Sequence, residues 1–318
     1  MPQTQSAQTI SDTSGSIAKA SAEGKNAKDV FFLGSSGRLG RLLRPVWPGT
    51  CAAIWHARSA GLADISFDPL AEGGATLFSA ALQGHAVLVN LAGPARAAGA
   101  GRGADHAALA LAALQAAGKA GLRHVFLMSS AAVYGRQSGP AREDGPALPV
   151  SDYGHAKLAM EKAAARWRAN AGRGAPGVTC LRLGNVAGAD LLLGGWRPGR
   201  TVMLDMIGGT EPLRRSYIGP AVLAQCLAQL VRLAMTGADL PFVLNVAQSP
   251  PVSMSGLLQA ASVPWQPRLA ERDAIAEVNL DTGRLSALIG PLPPADAAAL
   301  VADWRGAAQS GPDLDGAA

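Results

Sequence analysis

A serine, a tyrosine and a lysine that could act together in proton transfer lie within one stretch of the chain, residues 128–157. Ser130 follows the apolar run Val125-Phe126-Leu127-Met128, which indicates a buried parallel strand ending at this serine. Tyr153 and Lys157 are four residues apart, so both side chains leave the same face of the helix predicted there. Because open α/β sheets bind ligands at the carboxyl ends of their strands, we expect the three side chains to meet at that edge.

These three residue types predict redox chemistry at an oxygen-bearing carbon. A free phenol has a pKa of about 10, and a neighbouring ammonium favours the phenolate and moves that pKa towards the working range. The Ser130 hydroxyl can hold a carbonyl or alcohol oxygen while Tyr153 gives or takes the proton. No protein side chain accepts the hydride that must also move, so the pattern predicts a nicotinamide cofactor.

A glycine-rich loop predicts where that cofactor binds. The apolar strand at residues 30–33 runs directly into Gly34-Ser35-Ser36-Gly37-Arg38-Leu39-Gly40, after which an apolar helix pattern begins. Glycines permit the tight turn and let the backbone approach a pyrophosphate. From the G-x-x-G-x-x-G spacing, the predicted cofactor ligands are Gly34, Ser36, Gly37, Arg38, Leu39 and Gly40.

The end of the second predicted strand, residues 51–55, bears on the choice between NAD and NADP. NAD-specific enzymes normally carry an acidic residue there, which accepts from the adenosine ribose, whereas this chain has His56-Ala57-Arg58-Ser59. Arg58, together with Arg38, could meet a 2′-phosphate, and this favours NADP over NAD. The alternative is that both arginines are solvated surface residues.

The pairing of Ser-Ser-x-x-Val-Tyr-Gly at residues 129–135 with Tyr-Gly-x-x-Lys at residues 153–157 resembles the extended short-chain dehydrogenase/reductase family, which includes UDP-galactose epimerase and nucleotide-sugar dehydratases. The resemblance implies that Ser130, Tyr153 and Lys157 are catalytic and that Lys157 also holds the nicotinamide ribose. It further implies cofactor contacts from Asp68, Leu91, Ala92, Gly93 and Ser129. A turn at Asp68-Pro69 is an alternative account of that aspartate.

Two later segments resemble substrate contacts of the same family. The segment that begins Gly184-Asn185 gives Asn185 the role of a substrate-binding asparagine. Arg215 falls on the position of an arginine that binds the substrate diphosphate, although the residues after it depart from the family's Arg-Asp-Tyr-Ile-His-Val-Asp pattern. This departure leaves the substrate open, and Arg215 could instead hold a carboxylate.

Composition excludes several other classes of function. The net charge of +5 comes from scattered arginines, so we expect no nucleic-acid partner. The three cysteines and five histidines show no disulfide or ligand spacing, and no metal is predicted. No apolar run is long enough to span a bilayer and no signal sequence is recognisable, so we expect a cytoplasmic protein without a membrane partner.

The predicted fold class is α/β, a Rossmann-fold doubly wound parallel sheet with a small C-terminal substrate lobe. The predicted divisions are a disordered tail at 1–28, an NAD(P)-binding domain at 29–185 completed by 215–263, a substrate lobe at 186–214 and 264–310, and a frayed tail at 311–318.

The predicted function is that of an NAD(P)-dependent oxidoreductase acting at a secondary alcohol or ketone, with nucleotide sugars among the candidate substrates. The first alternative is an NAD-dependent sugar-nucleotide epimerase or dehydratase, which would retain its NAD through turnover. The second is a non-catalytic protein that senses the cofactor, although such proteins usually lose the tyrosine or the lysine. The sequence leaves the oligomeric state open, and a homodimer is one candidate by analogy with relatives.

Overall fold

The computed structural model describes residues 29–59, 61, 63–93 and 103–310, with the side chains of residues 103–105 left out. The tails predicted at 1–28 and 311–318 lie outside the described residues. The elements of the first half are β1 (Val30–Leu33), α1 (Arg38–Leu43), β2 (Ala53–Ala57), β3 (Ile65–Ser66), α2 (Gly74–Ala81), β4 (Val87–Asn90), α3 (Gly103–Ala120), β5 (His124–Ser130), α4 (Asp152–Asn170) and β6 (Gly177–Leu183).

The second half of the chain contains shorter strands among its helices. Its elements are β7 (Asn185–Val186), β8 (Val202–Ile207), β9 (Glu211–Pro212), β10 (Arg214–Ile218), α5 (Pro220–Met235), β11 (Val243–Val246), β12 (Gln248–Ser253), α6 (Met254–Ala260), β13 (Trp265–Leu269), β14 (Glu277–Val278), α7 (Gly283–Ile289) and α8 (Ala297–Gln309).

Seven strands of the described chain form one sheet in the order β11-β6-β5-β4-β1-β2-β3. All of its neighbouring pairs are parallel. The strand order reverses between β1 and β4, and such a reversal opens a crevice at the carboxyl ends of the two strands. The predicted doubly wound Rossmann-type sheet is therefore confirmed.

The central strands are buried on both faces. Val30 and Phe32 of β1 pack into one apolar core with α5, whereas Phe31 and Leu33 pack into a second core with α2, α3 and α4. Successive strand residues point to opposite faces, and each face of this sheet is covered by helices. This explains why β1 reads as an uninterrupted apolar run.

Two smaller sheets lie beyond the central one. One contains β12, β10 and β14, with β7 paired to β10, and the other contains β13, β8 and β9. Of the segment expected to complete the first domain, β11 belongs to the central sheet and α5 packs against it, whereas β10 and β12 belong to a smaller sheet. The domain boundaries themselves stay a prediction.

The second strand differs slightly from its predicted position, and the last helix has a side-chain cap. The second strand is Ala53–Ala57 rather than residues 51–55. The last helix is Ala297–Gln309 because the Asp296 side chain accepts a hydrogen bond from Ala299 N and caps its start, a preferred arrangement at a helix N-terminus. Within the described ranges, no helix is long and apolar enough to cross a membrane.

Candidate functional site

The glycine loop between β1 and α1 is held tightly against its neighbours. Gly34 has a φ of +92°, and a Cβ at this position would lie 2.7 Å from the backbone nitrogen of Ala92. A Cβ on Gly40 would lie 2.5 Å from the backbone of Ser35. Since no Cβ fits at these distances, the two glycines let the loop fold back between β4 and α1.

A first cavity of about 560 Å³ lies on one side of this loop. Arg58, after β2, and Asp68, after β3, both line it. The Asp68 side chain also accepts a hydrogen bond from Leu70 N at 2.9 Å, so it shapes the turn that closes this cavity. Of the predicted cofactor ligands, those lining the first cavity are Gly34, Ser36, Gly37, Arg58, Asp68, Leu91, Ala92 and Gly93.

A second cavity of about 540 Å³ lies on the other side and shares Gly34, Gly37, Leu91 and Gly93 with the first. It contains the serine, tyrosine and lysine of the predicted catalytic set. The predicted site residues lining only this cavity are Arg38, Leu39, Gly40, Ser129, Ser130, Tyr153, Lys157 and Asn185. Arg38 and Arg58 therefore line different, adjoining cavities.

The structure brings Ser130, Tyr153 and Lys157 together at the end of β5. The Lys157 ammonium donates to the Met128 carbonyl at 2.7 Å and lies 5.6 Å from the centre of the Tyr153 ring. Ser130 accepts a hydrogen bond from Ala132 N at 3.1 Å, which holds its hydroxyl at the start of the turn after β5. A hydrogen bond to Ser130 also favours the ionised form of Tyr153. Their chemical roles stay predictions.

Burial shifts the pKa values of Lys157 and Tyr153 in the directions that favour their uncharged forms. Desolvation lowers the pKa of Lys157 to about 8, because a buried ammonium loses its hydration. Desolvation also raises the pKa of Tyr153, and the hydrogen bond to Ser130 opposes that rise. The pKa of Tyr153 is therefore raised overall, in contrast to the lowering expected from the neighbouring Lys157 ammonium.

A buried ion pair next to the site joins α4 to β5 and β6. Arg182 on β6 donates to both carboxylate oxygens of Glu161, at 3.0 and 2.7 Å. Ser129 donates to the same carboxylate at 2.5 Å. Glu161 is one helical turn after Lys157. These bonds hold α4 against β5 and β6, and they thereby hold Lys157 in position at the end of β5.

Gly154 allows α4 to approach the turn that carries Ser130. A Cβ on this residue would lie 2.4 Å from the Ala132 carbonyl oxygen. The helix begins where the Ser151 side chain accepts from Gly154 N at 3.1 Å. The glycine after the tyrosine therefore brings Tyr153 within reach of Ser130.

Arg215 is the one predicted site residue that the structure does not bring to either cavity. It lies on β10, where its guanidinium donates to the Arg214 carbonyl at 2.7 Å and the Ala276 carbonyl at 3.1 Å. A motif compares residue types position by position, so it could not predict that Arg215 lies outside both cavities. The hydrogen bonds of Arg215 depend on the loop before β14.

His106 is a cavity residue that the sequence analysis missed. It is buried on α3, lines the second cavity, and its ring centre lies 5.8 Å from that of Tyr153 in an edge-on arrangement. Metal-ligand spacing among the histidines gives no indication of this position. The position of His106 at the start of the helix after β4 was the available signal, because that helix begins at the same sheet edge.

Asp190 and Tyr217 form a second missed contact. The Tyr217 hydroxyl donates to the Asp190 carboxylate at 2.6 Å, and Asp190 lines the second cavity. Burial raises the pKa of Asp190, an effect that hydrogen bonds from Tyr217 and two backbone amides oppose. The available signal was the position of Asp190 five residues after Asn185, in the segment predicted as part of the substrate lobe.

The two cavities fit a dinucleotide. A dinucleotide has two halves joined by a pyrophosphate, and the cavities meet where the glycine loop leaves no room for side chains at Gly34 and Gly40. Arg58 and Asp68 lie in one half and Tyr153 and Lys157 in the other. The arrangement suits an adenosine half in the first cavity and a nicotinamide half in the second.

Comparison with known proteins agrees with this geometry. Residues 78–202 match the model of the NAD dependent epimerase/dehydratase family. A UDP-glucose 4-epimerase from Azospirillum brasilense is 42% identical over 87 residues, a segment that covers 27% of this chain and 24% of that enzyme.

Similarity to solved structures extends over most of the chain. A UDP-glucose 4-epimerase from Stenotrophomonas maltophila, with NAD and a formylated UDP-arabinopyranose bound, superposes with a TM-score of 0.72 at 16% identity, over 89% of this chain and 98% of the other. An NAD-bound dTDP-glucose 4,6-dehydratase from Streptomyces venezuelae gives 0.64 at 16% identity, over 87% and 97%. Residues 78–202 therefore resemble the NAD dependent epimerase/dehydratase family, and the chain has the fold of the epimerases and dehydratases with which it superposes.

Proposed function

We propose that this protein is an NAD(P)-dependent oxidoreductase that transfers a hydride at a carbon bearing a secondary alcohol or ketone. The observation that carries the proposal is the convergence of Ser130, Tyr153 and Lys157 on one cavity that adjoins the glycine loop. When bound, the nicotinamide would supply the hydride chemistry that side chains lack.

The side chains then divide the remaining work. Ser130 orients the substrate oxygen, and Tyr153 moves the proton to or from that oxygen. Lys157 holds the nicotinamide ribose and, as the ammonium, stabilises the phenolate. A phenol is protonated near neutral pH, so Tyr153 can donate its proton to the oxygen of a ketone that is being reduced.

NADP is the favoured cofactor. Arg58 is exposed and lines the first cavity, and no acidic residue follows β2 directly. Arginine suits a 2′-phosphate because it forms charge-assisted bonds with phosphate oxygens. The similar solved structures contain NAD, so the preference is a property expected of this chain and not of the group.

An epimerase or dehydratase acting on a nucleotide sugar is the second candidate. The family match and the similarity to nucleotide-sugar enzymes favour it. The two candidates differ in one observable property, since an epimerase recycles a retained NAD whereas a reductase exchanges its cofactor at each turnover.

The test is to denature the purified full-length protein, analyse the released nucleotide, and titrate a nucleotide-free sample with NADPH and NADH. An empty site that prefers NADPH supports the reductase. Tightly retained NAD, with no net change of nicotinamide absorbance during turnover of a UDP-sugar, would establish the second candidate instead.

A further inference from the structure

One segment after β6 forms much of the wall of the second cavity, and we call residues 185–193 the wall segment. Its residues that line the cavity are Asn185, Val186, Ala189, Asp190, Leu191 and Leu192. Apart from the two residues of β7, the segment consists of turns. Segments with few ladder hydrogen bonds open locally most easily, so the shape of this wall depends on what packs against it.

The C-terminal helix α8 packs against the wall segment through one aromatic side chain. Gly188, in the middle of the segment, has a φ of +82°, and a Cβ at this position would overlap the indole ring of Trp304. The ring therefore lies directly against the backbone of the segment. Trp304 also packs on the apolar core that contains Ala187 and Leu193 of the same segment.

The two neighbours of Trp304 hold its ring in place. The Asp303 carboxylate accepts from two backbone amides at the start of α5, at 2.8 and 3.3 Å. Arg305 donates to the Ala261 carbonyl at 2.7 Å, directly after α6. Because the residues on both sides of Trp304 are bonded to different helices, the indole cannot withdraw from the wall segment without breaking these bonds.

Contacts inside the wall segment connect Gly188 to the residues that line the cavity. A Cβ on Gly194 would overlap the Gly188 carbonyl oxygen, so the chain after Asp190 folds back onto Gly188. The Asp190 carboxylate closes this turn by accepting from Leu193 N at 3.0 Å. A displacement of Gly188 must therefore also displace the lining residues that follow it.

Resting on the proposed function, we propose that Trp304 is a positioning residue for substrate binding, which holds residues 187–193 in the conformation that meets the substrate. Ser130 and Lys157 are held by hydrogen bonds of their own at the end of β5. Loss of the indole should therefore weaken binding equally in the ground state and the transition state, which raises KM and leaves kcat unchanged.

The first test is hydrogen exchange of the full-length protein followed by mass spectrometry, which requires no substrate. In Trp304→Ala, the backbone amides of residues 187–194 should exchange at least about tenfold faster than in the wild type, while those of β1 and β5 stay within about twofold. Trp304→Phe, which keeps an aromatic ring, should retain most of the protection. Trp304→Leu keeps more of the side-chain volume and replaces Trp304→Ala if that variant does not fold.

Trp167→Ala is the matched control for the loss of an indole. Trp167 lies near the end of α4 and packs on the core that α4 shares with α2 and α3, so its removal should leave residues 187–194 at wild-type exchange rates. Unchanged exchange of residues 187–194 in Trp304→Ala, or an equal acceleration throughout the chain, would overturn the proposal.

The second test measures NADPH affinity and the NADPH-dependent reduction of cyclohexanone and acetophenone in the same variants. We expect Trp304→Ala to raise KM at least about tenfold, with kcat within about threefold and the NADPH dissociation constant within about twofold of the wild type. Trp167→Ala should change none of the three. A loss of kcat at unchanged KM would contradict the proposal, because Trp304 would then act on the reacting groups and not on the wall segment.

The two tests separate this inference from the proposed function. If the wild type reduces a ketone in a manner that depends on Tyr153 and Trp304→Ala keeps the wild-type KM, the proposed function stands and the role of Trp304 is wrong. If the wild type binds NADPH but transfers hydride to no ketone or nucleotide sugar, the proposed function fails. The exchange of residues 187–194 then still decides whether Trp304 holds the wall segment.

Discussion

At the scale of single residues, the site depends on charges that have been removed from water. Glu161 and Arg182 are almost fully buried, with side chains 5% and 6% exposed, and each is paired through two hydrogen bonds. Lys157, one turn before Glu161, is buried as well. These groups tolerate burial because their partners are in place, so removing a partner should have a large effect.

Glu161→Gln should lower the free energy of unfolding by about 3–5 kcal/mol, because it leaves the buried Arg182 guanidinium without its counter-charge. Denaturant unfolding measures this directly. Glu277→Gln is the matched control, since the Arg214–Glu277 pair is half exposed with a separation of 3.5 Å and should change stability by at most about 1 kcal/mol. Equal effects of the two substitutions would show that the buried pair does not secure α4.

Lys157 should make stability depend on pH in the alkaline range. Burial lowers its pKa from 10.5 to about 8, so the folded protein loses this proton before the unfolded chain does. The free energy of unfolding is therefore reduced by the full amount below pH 8, and this reduction disappears above pH 10.5. At about 1.4 kcal/mol per pKa unit, the wild type should gain about 3 kcal/mol relative to Lys157→Met over this range. Parallel pH dependences of the two unfolding free energies would disprove this account.

At the scale of elements, the site is assembled by close backbone contacts at glycines. Gly34 and Gly40 fold the loop between β1 and α1, and Gly154 brings α4 against the turn after β5. The strand–glycine–helix order could be predicted because glycines mark such turns in the sequence. The contact partner of Gly154, the Ala132 carbonyl, could not be predicted, because it depends on how two separate elements pack.

Gly154→Ala should separate Tyr153 from Ser130. The new Cβ would lie 2.4 Å from the Ala132 carbonyl oxygen, so α4 must shift, with a loss of about 1–3 kcal/mol of stability and at least about tenfold in kcat. Gly172→Ala, just beyond the same helix, is the control because nothing lies within 4 Å of the added methyl group. Wild-type kcat in Gly154→Ala would contradict a positioning role for this contact.

At the scale of the whole molecule, the parallel sheet brings distant parts of the sequence to one edge. Periodicity and motifs predicted the sheet class, the glycine loop and the meeting of Ser130 with Tyr153 and Lys157, because these features depend on local pattern and simple topology. Two contacts depend instead on the two smaller sheets. They are the hydrogen bonds from Arg215 to backbone carbonyls and the hydrogen bond from Tyr217 to Asp190. The pairings within these sheets join short strands with little periodicity, and sequence patterns do not determine them.

The adenosine half of the site should discriminate between cofactors through Arg58. Arg58→Glu should weaken NADPH binding at least about tenfold and leave NADH within about twofold, since only NADPH carries the 2′-phosphate. Fluorescence titration gives both dissociation constants. Arg173→Glu makes the same charge change in an exposed turn after α4, away from both cavities, and should alter neither. Equal losses of the two cofactors in Arg58→Glu would refute the assignment.

The most direct test of hydride transfer with Tyr153 as the proton donor is the turnover of Tyr153→Phe beside the wild type. NADPH consumption would be followed with ketone substrates, and NADPH affinity would be measured on the same samples. The account predicts that kcat falls about 10²–10⁴-fold while the NADPH dissociation constant stays within about twofold. Undiminished turnover in Tyr153→Phe, or a wild type that binds NADPH and transfers hydride to no ketone or nucleotide sugar, would contradict it.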